Sequence, residues 1–252
     1  DIVIAAPAFS GEKLIGWIAN IAHHSDIGGK VTGSTSGDAD SIFQEGIRIP
    51  VIRIRPGGEL IPSVMAMLLD NTRVPQERYG DLTAQMSANL IGIQRIEEAY
   101  EHYQDTLIDC MEELIRYSER RVRAVVKKLP DGTYPYIDYV DGCGDKYPDP
   151  LPISVAVTIK GDHLIFDFTG TADQIEAPIN VPYPCTKAAV FFAVKALMGS
   201  DIPANEGINR AIQIIAPKGW IVNPNAPAPI GAQIHCSPIS YTHLTLPKNC
   251  YV

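Results

Sequence analysis

Ile153-Ser154-Val155-Ala156-Val157-Thr158-Ile159, followed by Lys160-Gly161-Asp162 and then His163-Leu164-Ile165-Phe166-Asp167-Phe168, is the stretch that sets the fold class. Ile153, Val155, Val157 and Ile159 recur at every second position, and Leu164, Phe166 and Phe168 repeat that rhythm beyond the glycine turn. Side chains of a strand point alternately to opposite faces, so this pattern predicts a β-hairpin with one apolar side. Asp167 falls on the face opposite Phe166 and Phe168, either in solvent or aimed into a cleft; the plain alternative is turn chemistry with Thr169-Gly170-Thr171. Downstream, Lys187 to Met198 reads as a helix, Ile212 to Ile215 as a strand, and Gly219 to Val222 as its partner.

Upstream of the hairpin the rhythm changes to three- and four-residue steps. Leu60 to Leu69 predicts a short helix. From Asp81, Leu82, Met86, Leu90, Ile93 and Ile96 mark one helical stripe; after Asp105, read as an N-cap, Leu107, Cys110, Met111, Leu114, Ile115, Val122, Val125 and Leu129 mark another. The pair is expected to pack as an antiparallel helical hairpin closed by Pro130-Asp131-Gly132. Glu112, Glu113, Glu119, Arg120, Arg121 and Arg123 form the outer face of the second helix, a solvated or interface surface with carboxylates at hand for its arginines. The first third reads as short strands: Ile2 to Ala5 and Leu14 to Ala22 around a Ser10-Gly11-Glu12 turn, and Ile52-Arg53-Ile54-Arg55 ending at Pro56-Gly57-Gly58. Between them His23-His24-Ser25-Asp26-Ile27-Gly28-Gly29 opens a polar loop that runs to Asp40. The expected fold class is therefore mixed α/β (α+β), short strands and hairpins around a central antiparallel helical hairpin.

The 252 residues are 46% apolar and 20% charged, which suits a globular chain with a sizeable core. Twenty-one basic against twenty-nine acidic residues give a net charge of −8, with no basic stripe apart from Arg116 to Lys128, so nucleic acid and anionic membrane surfaces are poor partners. No apolar run approaches the ~20 residues that span a bilayer. Five cysteines, Cys110, Cys143, Cys185, Cys236 and Cys250, form neither a C-x-x-C pair nor a metal-finger spacing, and a cytoplasmic setting is expected. The chain begins inside a strand without a leader, which predicts a fragment; residues 1–236 would be a partial domain. Ser240-Tyr241-Thr242-His243-Leu244-Thr245-Leu246-Pro247 reads like translated adapter, so residues 237–252 are expected to be a non-native tail.

The chemistry-bearing constellation is Asp1 with His23, His24 and Asp26. Imidazole and carboxylate together suit a borderline divalent ion such as Mn, Fe or Zn. If the first two strands pair, the ends carrying Asp1 and His23 meet, and alternation allows only one of His23 and His24 to ligate. Gly28-Gly29 lacks the pattern of a phosphate loop, and neither a dinucleotide fingerprint nor a nucleophile elbow is present. Cys110 reads as core, and Cys143 as a loop residue without a base beside it.

Several segments in order resemble the hydantoinase B/oxoprolinase family: Ala22-His23-His24-Ser25-Asp26-Ile27-Gly28-Gly29, Phe43-Gln44-Glu45-Gly46-Ile47-Arg48-Ile49-Pro50, Gly80-Asp81-Leu82-Thr83-Ala84-Gln85, Tyr117-Ser118-Glu119-Arg120-Arg121, Leu129-Pro130-Asp131-Gly132-Thr133-Tyr134, Asp167-Phe168-Thr169-Gly170-Thr171 and Pro178-Ile179-Asn180. The resemblance implies a subunit of an ATP-dependent hydrolase that opens cyclic amides such as hydantoin or 5-oxoproline. It implies a divalent metal, Mn first with Zn or Fe as alternatives, held by Asp1 and His23; the family's His three residues before Asp1 lies outside this chain. His24 or Asp26 would be the general base or orient the ligands, Glu45 and Arg48 would contact substrate, and Asp167 is a weaker candidate. ATP would be handled by a hydantoinase A-type, actin-like ATPase partner. Two alternatives are the metal-binding subunit of an acetone- or acetophenone-type carboxylase and a non-catalytic assembly subunit. The chain on its own is expected to be inactive and poorly soluble.

Overall fold

A computed structural model describes residues 1–199 and 201–231. The chain divides into two units, Asp1–Thr35 with Glu45–Met111, and Ser36–Gln44 with Glu112 onward; the division falls within one helix. The expected tail, with His243 and Cys250, lies outside the described residues, as does Cys236.

In the first unit β1 (Ile2–Ser10) and β2 (Lys13–Ala22) form a two-stranded antiparallel ribbon running from Ile2 opposite Ala22 to Ser10 opposite Lys13, with an irregularity at Ala8/Phe9. Two strands alone are marginal in water. Here α2 (Pro75–Tyr103) packs along both, and α1 (Pro62–Asp70) packs on α2. Ala8, Ile15 and Tyr100 make one small apolar cluster, and Met65, Leu68 and Leu82 another that takes in Ile2 and Ile4. α3 (Asp105–Val126) follows α2 after the single residue Gln104, whose φ is +49°. Both helices of the expected pair are present, and what α2 packs against is the strand ribbon. Asp105 begins α3 and accepts from Tyr100 Oη at 2.9 Å; Lys13 Nζ contacts both.

The second unit holds the larger core. β3 (Gly132–Val140), β4 (Leu151–Lys160), β5 (His163–Asp167) and β6 (Ile212–Ile215) form one sheet in that order. The β4–β5 hairpin has the register the alternation predicts, with Lys160 opposite His163 around Gly161-Asp162. Gly161 has φ +62°, as such a two-residue turn demands. β6 pairs with β5 in parallel, a pairing that needs a crossover; α4 (Tyr183–Met198) and the single turn α5 (Glu206–Asn209) lie on that path. Ile153, Ile159, Leu164, Phe166 and Phe168 are buried with Val190 and Val194 of α4 in a single cluster. Each such side chain contributes about 1.5–3 kcal/mol through burial.

Three expectations are corrected, and one strand is added to the reading. Ile52–Arg55 is not a strand: it lies beside a 3₁₀ turn at Pro56–Gly58, and Ile54 O accepts from Ile61 N within the same loop. Gly219–Val222 is not the partner of β6. It turns back on itself through Gly219 N to Asn223 O, and pairs with Ala172–Gln174 by isolated bonds. β3 occupies a stretch to which the sequence reading assigned no element; its Pro135 is tolerated because β3 is an edge strand that, among the described residues, pairs with β4 alone. Cys110 is exposed, because the N-terminal half of α3 leaves Met111 and Leu114 in solvent as well. No helix among the described residues is long and apolar enough to cross a membrane.

Candidate metal and substrate site

Pairing of Ile2 with Ala22 sets Asp1 beside His23 at the open end of the β1–β2 ribbon, with Asp1 Oδ1 and His23 Nδ1 2.8 Å apart. The His23 side chain is 92% exposed and that of Asp1 37%, so the pair is open to a solute. A carboxylate that holds one ring nitrogen of a histidine orients the ring and raises its basicity, the usual arrangement around protein-bound metals. The donor set, one oxygen and one imidazole, suits Mn, Fe or Zn. Among the described residues no group of three or more His, Cys, Asp or Glu gathers around a common point. The Asp1–His23 pair stands without a third such residue among the described ones.

Alternation sends His24 to the other face, where its side chain is fully buried. Its Nδ1 meets Nη1 of Arg78 from α2. A guanidinium only donates, so Nδ1 accepts, and a neutral ring then carries its proton on Nε2. That Nε2 is buried without a partner among the described residues, as are Arg78 Nε and Gln85 Oε1. Arg78 is 1% exposed and also donates to Ser25 Oγ at 3.1 Å and Asp81 Oδ2 at 2.8 Å, while Ser25 Oγ donates to Glu77 Oε2. His24 is thus packed against α2 rather than presented to solvent beside His23.

Asp26 has a structural occupation. It is 2% exposed, and its carboxylate accepts from Gly28 N at 3.0 Å, Gly33 N at 3.0 Å, Arg73 N at 3.2 Å and Arg73 Nη1 at 2.9 Å. Burial alone would raise its pKa, but these donors together hold the carboxyl far below the usual range. A carboxylate so engaged staples its loop and has no lone pair to spare as a general base, the role expected for it from sequence. Gly28 (φ +87°) is required where it stands, since a Cβ there would lie 2.6 Å from Asn71 O. Gly46 packs on Ile27 in the same way, and Ile47 N donates to Ile27 O at 2.9 Å. These contacts zip the segment carrying Glu45 and Arg48 to the loop; Glu45 is buried and Arg48 exposed.

Sequence reasoning missed the side chains that fix the strands. Gln85 Nε2 donates to Ile2 O and Asn89 Nδ2 to Ile4 O, both at 2.9 Å. Asn20 of β2 donates to Asn89 Oδ1 and Gln85 O. Four residues of helix rise ~6 Å and two residues of strand ~6.6 Å, so the ladder is commensurate. Arg78, Leu82, Gln85 and Asn89 form the buried stripe of α2. Its i, i+4, i+7, i+11 spacing was the available signal, hidden because three of the four are polar.

A cleft of about 1140 Å³ begins at Asp1 and runs along β1 to Phe9, with the Ile47–Gly58 segment as its other wall. Consecutive residues Ile2 to Pro7 line it, and only a strand seen edge-on offers both parities at once. Its lining is mainly apolar, with Arg53 and Arg55 as cations. Asp167 lies elsewhere: it accepts from Thr169 N and Oγ1, so the turn chemistry allowed for it is what it performs. Asn180 is likewise a staple, donating to Ile175 O, Ala177 O and Pro229 O. Cys143 N donates to Tyr147 O in a loop, and burial pushes the Cys185 thiol up, away from nucleophilic character.

Residues 1–243 match the Hydantoinase B/oxoprolinase family. The chain belongs to that family. It is 37% identical over 248 residues to the B-type component of a putative D-/L-hydantoinase of Pseudomonas sp. (strain NS671), covering 93% of this chain and 42% of that protein. It is 30% identical over 239 residues to the beta chain of the caprolactamase of Pseudomonas jessenii, covering 91% and 39%. The crystal structure of ATP-dependent caprolactamase from Pseudomonas jessenii superposes with a TM-score of 0.87 at 27% identity, over 96% of this chain and 41% of that one. A nucleotide-free acetone carboxylase has the same fold at 16% identity and TM-score 0.87, over 95% of this chain and 33% of that one. The chain spans about two fifths of the length of these hydantoinase and caprolactamase relatives. The mixed α/β fold is thus that of the family, as the motif order led one to expect.

Proposed function

We propose that this hydantoinase B/oxoprolinase family chain is part of one subunit of an ATP-dependent hydrolase that opens a cyclic amide, with Asp1 and His23 as two ligands of a divalent metal, Mn foremost. The observation that carries the reading is the exposed Asp1–His23 pair, of which Asp1 also lines a mainly apolar cleft. Bound there, the metal would supply a Lewis acid that polarises a carbonyl oxygen or activates water. The apolar cleft suits the methylene or alkyl side of a lactam or hydantoin ring. Glu45 and Arg48, zipped beside the loop, stay candidates for substrate contact. His24 is kept as an orienting group behind His23, and Asp26 as the loop's staple. ATP would act through a hydantoinase A-type, actin-like partner, in line with relatives that are themselves named as one component of a larger enzyme.

The test is a side-by-side assay of the full-length protein assembled with such an ATPase. ATP-dependent ring opening of hydantoin, 5-oxoproline or caprolactam, lost in His23→Ala, is the expected result. ATP-dependent incorporation of labelled bicarbonate into acetone or acetophenone would instead assign the carboxylase chemistry. Turnover unchanged in His23→Ala would leave the assembly role.

A further inference from the structure

The geometry points to Arg78 as the positioning residue of the Asp1–His23 pair, a buried guanidinium that clamps the strand end from behind. The inference rests on the metal reading above and adds a residue to it. Arg78 does not touch Asp1 or His23 in any bond it makes to a side chain; its partners are His24 Nδ1, Ser25 Oγ and Asp81 Oδ2. His24 and Ser25 are the two residues that follow His23. Because neighbours along an extended chain face opposite ways, holding His24 inward turns His23 outward.

The other half of the pair is held from the same helix. Gln85 and Asn89 donate to Ile2 O and Ile4 O, fixing the strand that begins next to Asp1. Arg78 lies seven residues before Gln85, two helical turns along the same buried stripe. A single rigid helix thus sets the end of β1 through its amides and the end of β2 through its arginine. Strand pairing brings Asp1 Oδ1 and His23 Nδ1 to 2.8 Å, and the helix holds both strand ends from behind.

Apolar packing alone would not call for this residue. A guanidinium at 1% exposure is costly to bury unless its donors are met, and a Met of similar reach would fill the space. A guanidinium offers several donors in a fixed planar fork, so meeting acceptors on three residues fixes their relative orientation, which a lysine's single ammonium does less well.

The experiment, on the full-length protein, compares wild type, Arg78→Met, Arg78→Lys and, as a control for general destabilisation, Val194→Ala in the other unit. Each is checked by circular dichroism at a temperature where it is folded, then titrated with Mn²⁺ alone, free ion being read by electron paramagnetic resonance. Loss of an orienting partner commonly costs ~10–100-fold in metal affinity, and that loss is expected for Arg78→Met, a smaller one for Arg78→Lys, and none for Val194→Ala. Folded Arg78→Met that binds Mn²⁺ within twofold of wild type overturns the proposal. Should Arg78→Met not fold, Arg78→Lys with undiminished affinity overturns it equally. Wild type that takes no Mn²⁺ overturns the metal reading instead. The positioning role is then read from the imidazole ¹⁵N shifts of His23 at fixed pH. Loss of the Nδ1 hydrogen bond to Asp1 in the Arg78 variants supports the role, and its persistence refutes it.

Discussion

Among the described residues, the second unit buries Ser36, Ser118, Thr171, Asn180 and Thr186 as its polar side chains, every one neutral, whereas the first buries Asp26, Glu45 and Arg78 together with Gln85 and Asn89. The apolar content differs in the opposite sense. One large cluster spanning β4, β5 and α4 serves the second unit, while two small clusters around Tyr100 and Leu82 serve the first. Among the described residues, the buried side-chain atoms that lack partners, His24 Nε2, Arg78 Nε and Gln85 Oε1, also fall in the first unit. Buried charge lowers stability unless it is paired, so its concentration in the first unit calls for the partners that Asp26 and Arg78 have there. The unit with the better core is not the unit with the Asp1–His23 pair.

That contrast can be broken most sharply at Phe166, 3% exposed in the larger core. Phe166→Ala should cost about 3–5 kcal/mol in denaturant unfolding; under 1 kcal/mol would mean the apolar cluster does not dominate its unit. In the first unit the comparable blow is polar. Asp26→Ala strands the N–H groups of Gly28, Gly33 and Arg73, and should cost about 3 kcal/mol by the same measurement. Because the folded pKa of Asp26 is depressed, its stabilisation is complete above the ordinary carboxylate range. It is lost as pH falls from about 4 toward the depressed folded value. Asp26→Asn should therefore show a shallower acid limb than wild type in thermal melts from pH 6 to 2; parallel limbs would remove Asp26 as the cause.

Glycines sharpen the comparison further. Gly28→Ala meets both a positive φ and Asn71 O at 2.6 Å, while Gly161→Ala meets a positive φ with nothing within 4 Å. A left-handed alanine costs about 1–2 kcal/mol, so Gly161→Ala should stay near 1 and Gly28→Ala exceed 2 kcal/mol. Equal values would mean the loop at Gly28 gives way. The smallest effect is expected at His23. Exposed as it is, His23→Ala should move stability by less than about 0.5 kcal/mol, and a larger loss would make it a structural residue.

The second unit's hairpin was legible because its burial obeys the strand period: Ile153, Val155 and Ile159 on one strand answer Leu164 and Phe166 on the next. The site was legible only in part. Asp1 and His23 fall at strand ends, and strand pairing is enough to bring such ends together. Arg78, Gln85 and Asn89 were not legible, since polar residues on a long helix ordinarily face water and here face the strands. The apolar stripe drawn through Leu90 was rotated for the same reason, and Leu90 is exposed. Ile52–Arg55 shows the converse failure, an alternating tetrapeptide that pairs with no strand among the described residues.

The most direct test of the central claim is anomalous diffraction at the manganese edge from crystals of the protein equilibrated with Mn²⁺. The account predicts a peak coordinated by the carboxylate of Asp1 and the imidazole of His23, absent in His23→Ala. A peak elsewhere, with the Asp1–His23 pair unoccupied at saturating Mn²⁺, would contradict it.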